Sequence, residues 1–146
     1  MTSFRHTRAF TLIELMIAIV VVAILLAIAY PSYMEQIRKA NRTEAMEALS
    51  RAAIAQERFL FSYGRYATSL GGAATADPAT SGLGLPTSTR EDPADNAFYE
   101  LTMEAAGPLQ FTLSAAPAGS TQASDRCGTL VLTHAGQRGA ALESCW

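Results

Sequence analysis

A chain of 146 residues has room for one modest domain plus an anchor, and little more. Its 11 basic residues stand against 13 acidic ones, and this balance gives no global reason to expect nucleic-acid binding. The two cysteines, Cys127 and Cys145, form no CxxC and stand in no Cys/His cluster, which argues against a zinc site.

The chain opens on a basic segment containing Arg5, His6 and Arg8, followed at once by an apolar block. Residues 15–34 carry no charge. As a helix they would span about 30 Å, the thickness of a bilayer core. Three readings fit such a start. It could be a secretory signal peptide, with Ala27-Ile28-Ala29 as the cleavage site. It could be a plain transmembrane anchor, or a precursor cut ahead of the apolar stretch instead of after it. Glu14 helps to choose. A carboxylate at the bilayer centre costs about 2.5–3.5 kcal/mol on insertion scales, and less near the interface. It has no role in a signal peptide or plain anchor, where it would only snorkel to the headgroups. In a chain cut before Phe10, the new α-amine of one subunit can pair with Glu14 of a neighbour.

Ala9-Phe10-Thr11-Leu12-Ile13-Glu14 resembles the prepilin processing motif G-F-T-L-x-E of the type IV pilin family. The resemblance implies cleavage between Ala9 and Phe10 by the prepilin peptidase, N-methylation of Phe10, and Glu14 as the assembly glutamate. Ala9 departs from the pattern, standing where the family has Gly. Loop charges conflict on topology. Arg5 and Arg8 place the N-terminus in the cytoplasm, while Arg38, Lys39 and Arg42 pull the other way. The motif requires a cytoplasmic leader and so takes priority. Cys127 and Cys145 then fall outside, where a separation of 18 positions suits one disulfide; two free buried thiols are the alternative.

Beyond the apolar block the helical pattern continues from Tyr33 to about Phe61. Pro31, inside it, lacks an N–H and predicts a bend or local loosening. In the family this proline marks where the helix can loosen in the filament. Glu35/Lys39 and Glu47/Arg51 are favourable i,i+4 pairs. Ala45, Leu49, Ala52 and Phe59, flanked by Met46, Ala53 and Leu60, form a broad apolar stripe. A helix over residues 10–61 would be about 78 Å long. Arg51, Arg58 and Arg65 recur every seven residues and could form a basic stripe, but interspersed Glu44, Glu47 and Glu57 favour an ordinary solvated face.

Residues 62–96 are punctuated by Gly71-Gly72, Asp77-Pro78, Leu85-Pro86 and Asp92-Pro93, and read as a long irregular connection. Gly82-Leu83-Gly84 has no strand-then-helix context for a phosphate loop. Glu91, Asp92, Asp95 and Asn96 hint at calcium, but lack EF-hand spacing and its glycine. Three strands follow. Phe98-Tyr99-Glu100-Leu101-Thr102-Met103 alternates in part. Leu109-Gln110-Phe111-Thr112-Leu113-Ser114 puts Leu109, Phe111 and Leu113 on one face, after a turn over 105–108. Leu130-Val131-Leu132-Thr133 is the third, with residues 135–139 as a turn. A Cys127–Cys145 bridge would pin the tail to the sheet, worth about 3 kcal/mol on the chain-entropy model.

Asn41-Arg42-Thr43-Glu44-Ala45, Ala55-Gln56-Glu57-Arg58-Phe59, Cys127-Gly128-Thr129-Leu130 and the ending Cys145-Trp146 resemble PilE-type minor pilins. The expected fold is α+β, a type IV pilin fold whose long N-terminal helix, half apolar and half amphipathic, packs on a small antiparallel sheet. Its expected parts are a leader (1–9), a membrane and fibre-core helix (10–33), an amphipathic head helix (34–62), a connecting loop (63–96) and a disulfide-closed sheet region (97–146). No catalytic or metal-binding motif is present and no cofactor is expected; His6 leaves with the leader, and His134 stands beside a turn. The resemblance implies a structural subunit with other pilins, the prepilin peptidase and the assembly platform as partners. It would be held in the inner membrane with its head in the periplasm, then built into a type IV pilus for adhesion, motility or DNA uptake. The alternatives are a major pilin, a secretion-system pseudopilin, a DNA-binding uptake pilin, or a soluble protein released after Ala29.

Overall fold

The computed structural model describes residues 10–75, 77, 80–89 and 97–146. In chain order these form α1 (Leu12–Tyr63), β1 (Tyr99–Gly107), β2 (Gln110–Pro117), a short α2 (Gly119–Gln122), β3 (Leu130–Thr133), β4 (Arg138–Gly139) and a 3-10 turn at Glu143–Cys145. The chain divides into two compact units, the first ending at Ile37 and the second spanning Arg38–Trp146.

In the first unit the helix starts at a cap. The Thr11 hydroxyl accepts the Glu14 N–H at 3.3 Å and the Thr11 carbonyl accepts the Leu15 N–H at 3.2 Å. Thr11-x-x-Glu14 is therefore also a helix-start signature, with an acidic residue in the turn where the helix dipole favours one. From Phe10 to Tyr33 every residue is exposed, although most are Leu, Ile, Val and Ala. α1 is long and apolar enough to cross a membrane. A helix that is apolar all round needs lipid or other protein as its solvent.

In the second unit α1 carries one buried stripe: Ala45, Leu49, Ala52, Gln56 and Phe59. These positions recur at the three- and four-residue steps that keep one helical face toward a core. The sheet they cover is antiparallel throughout, in the order β1-β2-β3-β4. Alternation supplies the facing layer: Tyr99 and Leu101 from β1, Phe111, Leu113 and Ala115 from β2, Leu130 and Leu132 from β3, all buried. The Tyr66 ring closes the layer edge-on to Phe111, with centroids 4.7 Å apart.

Two strand expectations need correction. β1 runs on to Gly107, and the turn is Pro108-Leu109, so Leu109 is 58% exposed instead of facing the core. The cause is a register shift between Ala105 and Gly107 that places one extra residue on the β1 side. Arg138 and Gly139, read as part of a turn, form β4 and pair with Leu132 and Val131. The turn is 134–137, held by the Thr133 N–H on the Gln137 carbonyl at 3.0 Å, with Gly136 at φ 74°.

The connection after α1 is irregular as far as it is described, but it is tied down. The Leu101 N–H donates to the Thr87 carbonyl at 2.8 Å and the Thr89 N–H to the Tyr99 carbonyl at 3.1 Å, so this loop covers part of the β1 edge. The calcium candidates Glu91, Asp92, Asp95 and Asn96 lie outside the described residues. Among the described residues, no group of three or more His, Cys, Asp or Glu could hold a metal ion.

Candidate functional site

The residues expected to carry function sit at three places on the chain. At the helix start, Phe10 is 80% exposed and Glu14 is exposed in the first turn. Ala9 lies outside the described residues. Further along, Pro31 lies within α1. With no N–H of its own, it denies the Ala27 carbonyl the usual i→i−4 bond. At the C-terminus, Cys127 and Cys145 are joined by a disulfide with Cα atoms 5.8 Å apart. The bridge holds Trp146 beside β4: the indole N–H donates to the Gly139 carbonyl at 2.7 Å, and the Arg138 guanidinium lies 5.3 Å from the ring centroid.

A fourth place was missed by sequence reasoning. Arg42, read as one of three basic residues flanking the membrane segment, is buried in the head and paired with buried Asp125. The pair is bidentate, Nε to Oδ2 at 3.1 Å and Nη2 to Oδ1 at 2.6 Å. The Tyr99 hydroxyl donates to Oδ2 at 2.6 Å, the Gln122 amide to Oδ2 at 2.9 Å, and the Cys127 N–H to Oδ1 at 3.1 Å. Asn41 donates to the Gln122 side-chain oxygen at 3.1 Å. Among the described residues no buried side-chain polar atom lacks a partner. A buried ion pair is tolerated on that condition.

The electrostatics follow from this geometry. Burial pushes the Asp125 carboxyl up, but hydrogen bonds from Arg42, Tyr99 and the Cys127 N–H outweigh it and hold the group at about 2. Burial, reinforced by the hydrogen bond to Asp125, pushes the Tyr99 hydroxyl up to about 12. The hydrogen bond to Asp125 raises Arg42 above its ordinary value despite burial. The cluster is thus an ionised pair with a neutral tyrosine across the physiological range.

The heptad-spaced arginines separate. Arg51 and Arg58 stay on α1, while Arg65 lies past its end and donates to the Ser81 hydroxyl at 3.2 Å. Arg51 and Arg138 instead share an open groove of about 430 Å³ with Met46, Ile54, Trp146 and the acidic Glu47. His134, at the end of β3, is exposed, with its ring 6.3 Å from Phe111.

An uncovered apolar helix start, an amphipathic second half laid on an antiparallel sheet and a disulfide at the C-terminus define the type IV pilin class. Comparison with known proteins agrees. The family model described as type IV minor pilin ComP, DNA uptake sequence receptor, matches residues 31–131. That for the prokaryotic N-terminal methylation motif matches residues 4–30. The chain belongs to this type IV minor pilin family. It is similar to the prepilin peptidase-dependent protein D of Escherichia coli (strain K12), 37% identical over 83 residues, which is 57% of this chain and 52% of the relative. The chain thus spans about half the length of that curated relative. A solved type IV pilin from Shewanella oneidensis has a similar fold, with a TM-score of 0.50 and 25% identity, over 75% of this chain and 97% of that one.

Proposed function

We propose that this pilin is made as a precursor, cut between Ala9 and Phe10 by a prepilin peptidase, methylated on Phe10 and stored in the inner membrane. Its head then lies in the periplasm until an assembly platform adds the subunit to a pilus beside other pilins. The carrying observation is the exposed apolar stretch of α1, with Glu14 its one acidic residue before Glu35. Such a surface is stable in lipid or against like helices, and unstable in water. The disulfide supports the periplasmic placement, since such bonds persist in oxidising compartments. The Phe10 amine, freed by cleavage, is protonated near neutral pH. It supplies the partner that a membrane carboxylate such as Glu14 requires. Intact-mass and N-terminal analysis of the protein from peptidase-competent cells should find a methylated Phe10 as the first residue. A chain starting at Tyr30 would establish the signal-peptide reading and end this one, and an intact Met1 would show that Ala9 blocks processing.

The family description favours a second reading, in which the head contacts DNA during uptake. The groove holding Arg51, Arg138 and Trp146 offers cations and a stacking ring, while Glu47 in the same groove opposes a phosphate backbone. The full chain in detergent is expected to show weak duplex binding at physiological salt. Tight binding that is lost in Arg51→Glu and Arg138→Glu would promote DNA uptake to the primary role.

A further inference from the structure

We propose that a cavity in the head, between α1, the connecting loop and β1, binds a short aliphatic carboxylate whose charged end is held by Arg51 and Thr89. α1 contributes Ala48 and Ala52 to the wall, both small. Leu70 and Leu101, each 4% exposed, and half-buried Leu85 give it apolar surface. The loop side is fixed by backbone hydrogen bonds. The Leu85 N–H donates to the Leu70 carbonyl at 2.9 Å, the Leu101 N–H to the Thr87 carbonyl at 2.8 Å, and the Thr89 N–H to the Tyr99 carbonyl at 3.1 Å. Held at these points, the loop does not collapse into the space that two alanines leave, and about 200 Å³ stays open.

Two donors stand at the edge of this apolar space. Arg51 is exposed on α1 and lines the cavity. Among the described residues it has no hydrogen-bond or ion-pair partner, Glu47 one turn before it included. The Thr89 hydroxyl accepts the Tyr99 N–H at 3.3 Å, which leaves its own hydrogen to donate. A guanidinium and a hydroxyl beside leucine side chains match a ligand with an anionic end and a hydrocarbon body. The charge stays at the wet rim and the hydrocarbon enters, so no charge is buried unpaired. Size sets the class. Pockets for drug-sized ligands measure about 300–1,000 Å³, so this smaller one suits a chain of a few carbons. Arg51 also borders the groove that holds Trp146, so the alkyl body, not the charge, assigns the ligand to this cavity. The site makes no use of Phe10, Glu14 or processing, and goes beyond fibre assembly.

Methyl NMR of the leucine-labelled full chain in phospholipid nanodiscs tests it with hexanoate, hexanol and acetate as probes. Hexanoate should shift Leu70, Leu85 and Leu101 saturably, with a Kd of about 1 mM. Arg51→Gln, at an exposed position, should keep the fold and weaken hexanoate about tenfold, while hexanol binds both proteins alike. Ala48→Leu should fill the cavity and remove the shifts without lowering the Tm. Leu85→Phe narrows the same space from the loop side and serves should Ala48→Leu fail to fold. Wild type binding hexanoate no better than acetate would overturn the proposal, leaving only an exposed arginine that attracts anions. So would equal hexanoate binding by Arg51→Gln. Hexanoate shifts that persist in the filled-cavity variants would also overturn it, by placing the probe in the lipid.

Discussion

Asp125→Ala is expected to destabilise the head by about 3–5 kcal/mol, the usual loss when one member of a buried ion pair is removed. The reason is what remains. Arg42 stays buried with an uncompensated charge, and the Tyr99 hydroxyl and the Cys127 N–H lose their acceptor. Replacing Arg42 with Met and Asp125 with Leu together should recover only the part due to the unpaired Arg42 charge, because the Tyr99 hydroxyl and the Cys127 N–H still lack their acceptor. The pH dependence has a definite sign. Asp125 is depressed from 3.8 to about 2 in the folded state, so its contribution, about 2 kcal/mol, is present above pH 3.8 and lost as pH falls through 2. Tyr99 is raised from 10.0 to about 12, so its contribution is complete below pH 10 and lost as pH rises through 12. Urea unfolding of the full chain in detergent, followed by near-UV circular dichroism, should give a stability plateau between those limits. Asp125→Ala should abolish the acid-side decline. A loss under about 1 kcal/mol would mean the pair behaves as an exposed salt bridge.

Glu14→Leu is expected to leave the head folded and yet nearly eliminate the subunit from fibres. Glu14 is exposed in the first turn of α1, well before the first residue of the head unit at Arg38. Its removal costs the helix start only a few tenths of a kcal/mol, through the dipole, and makes membrane insertion easier. In the fibre the balance reverses. The protonated amine of a neighbour's Phe10 would enter an apolar environment with no carboxylate to receive it. Glu14→Asp should be intermediate, since the charge stays but its reach shortens. The quantity to measure is subunit in sheared fibres relative to subunit in membranes. Equal incorporation of wild type and Glu14→Leu would make the carboxylate a bystander at the interface.

What the sequence displayed most clearly was periodic or local. Ala45, Leu49, Ala52 and Phe59 are spaced to show a buried helix face, and that face is buried. Gln56 sits on the same stripe and was passed over because glutamine reads as polar. Its amide instead satisfies the backbone of Ala67, donating to the carbonyl at 3.1 Å and accepting the N–H at 2.9 Å. Arg42 lies on the stripe too, three residues before Ala45, and that phase was the available signal for its burial. Its partner could not be read. Asp125 is 83 positions away in a turn, and only the closed fold brings the two charges together. The strands failed where regular alternation failed. The extra residue in β1 moved the hairpin turn past the point that strict alternation gives, and β4 is too short to show a period. The resemblance at Phe10-Thr11-Leu12-Ile13-Glu14 identified the family, while the capping role of Thr11 needed coordinates.

The central claim is that this chain leaves the membrane as a subunit of a fibre. Quantitative mass spectrometry of pili sheared from intact cells, compared with the membrane fraction of the same cells and of a strain lacking the prepilin peptidase, tests it most directly. The account predicts a peptide beginning at methylated Phe10 in the sheared fibres of the first strain, at low abundance beside a major pilin. It predicts none in the second, where the uncut chain stays in the membrane. A processed chain found only in the membranes of fully piliated cells would contradict it.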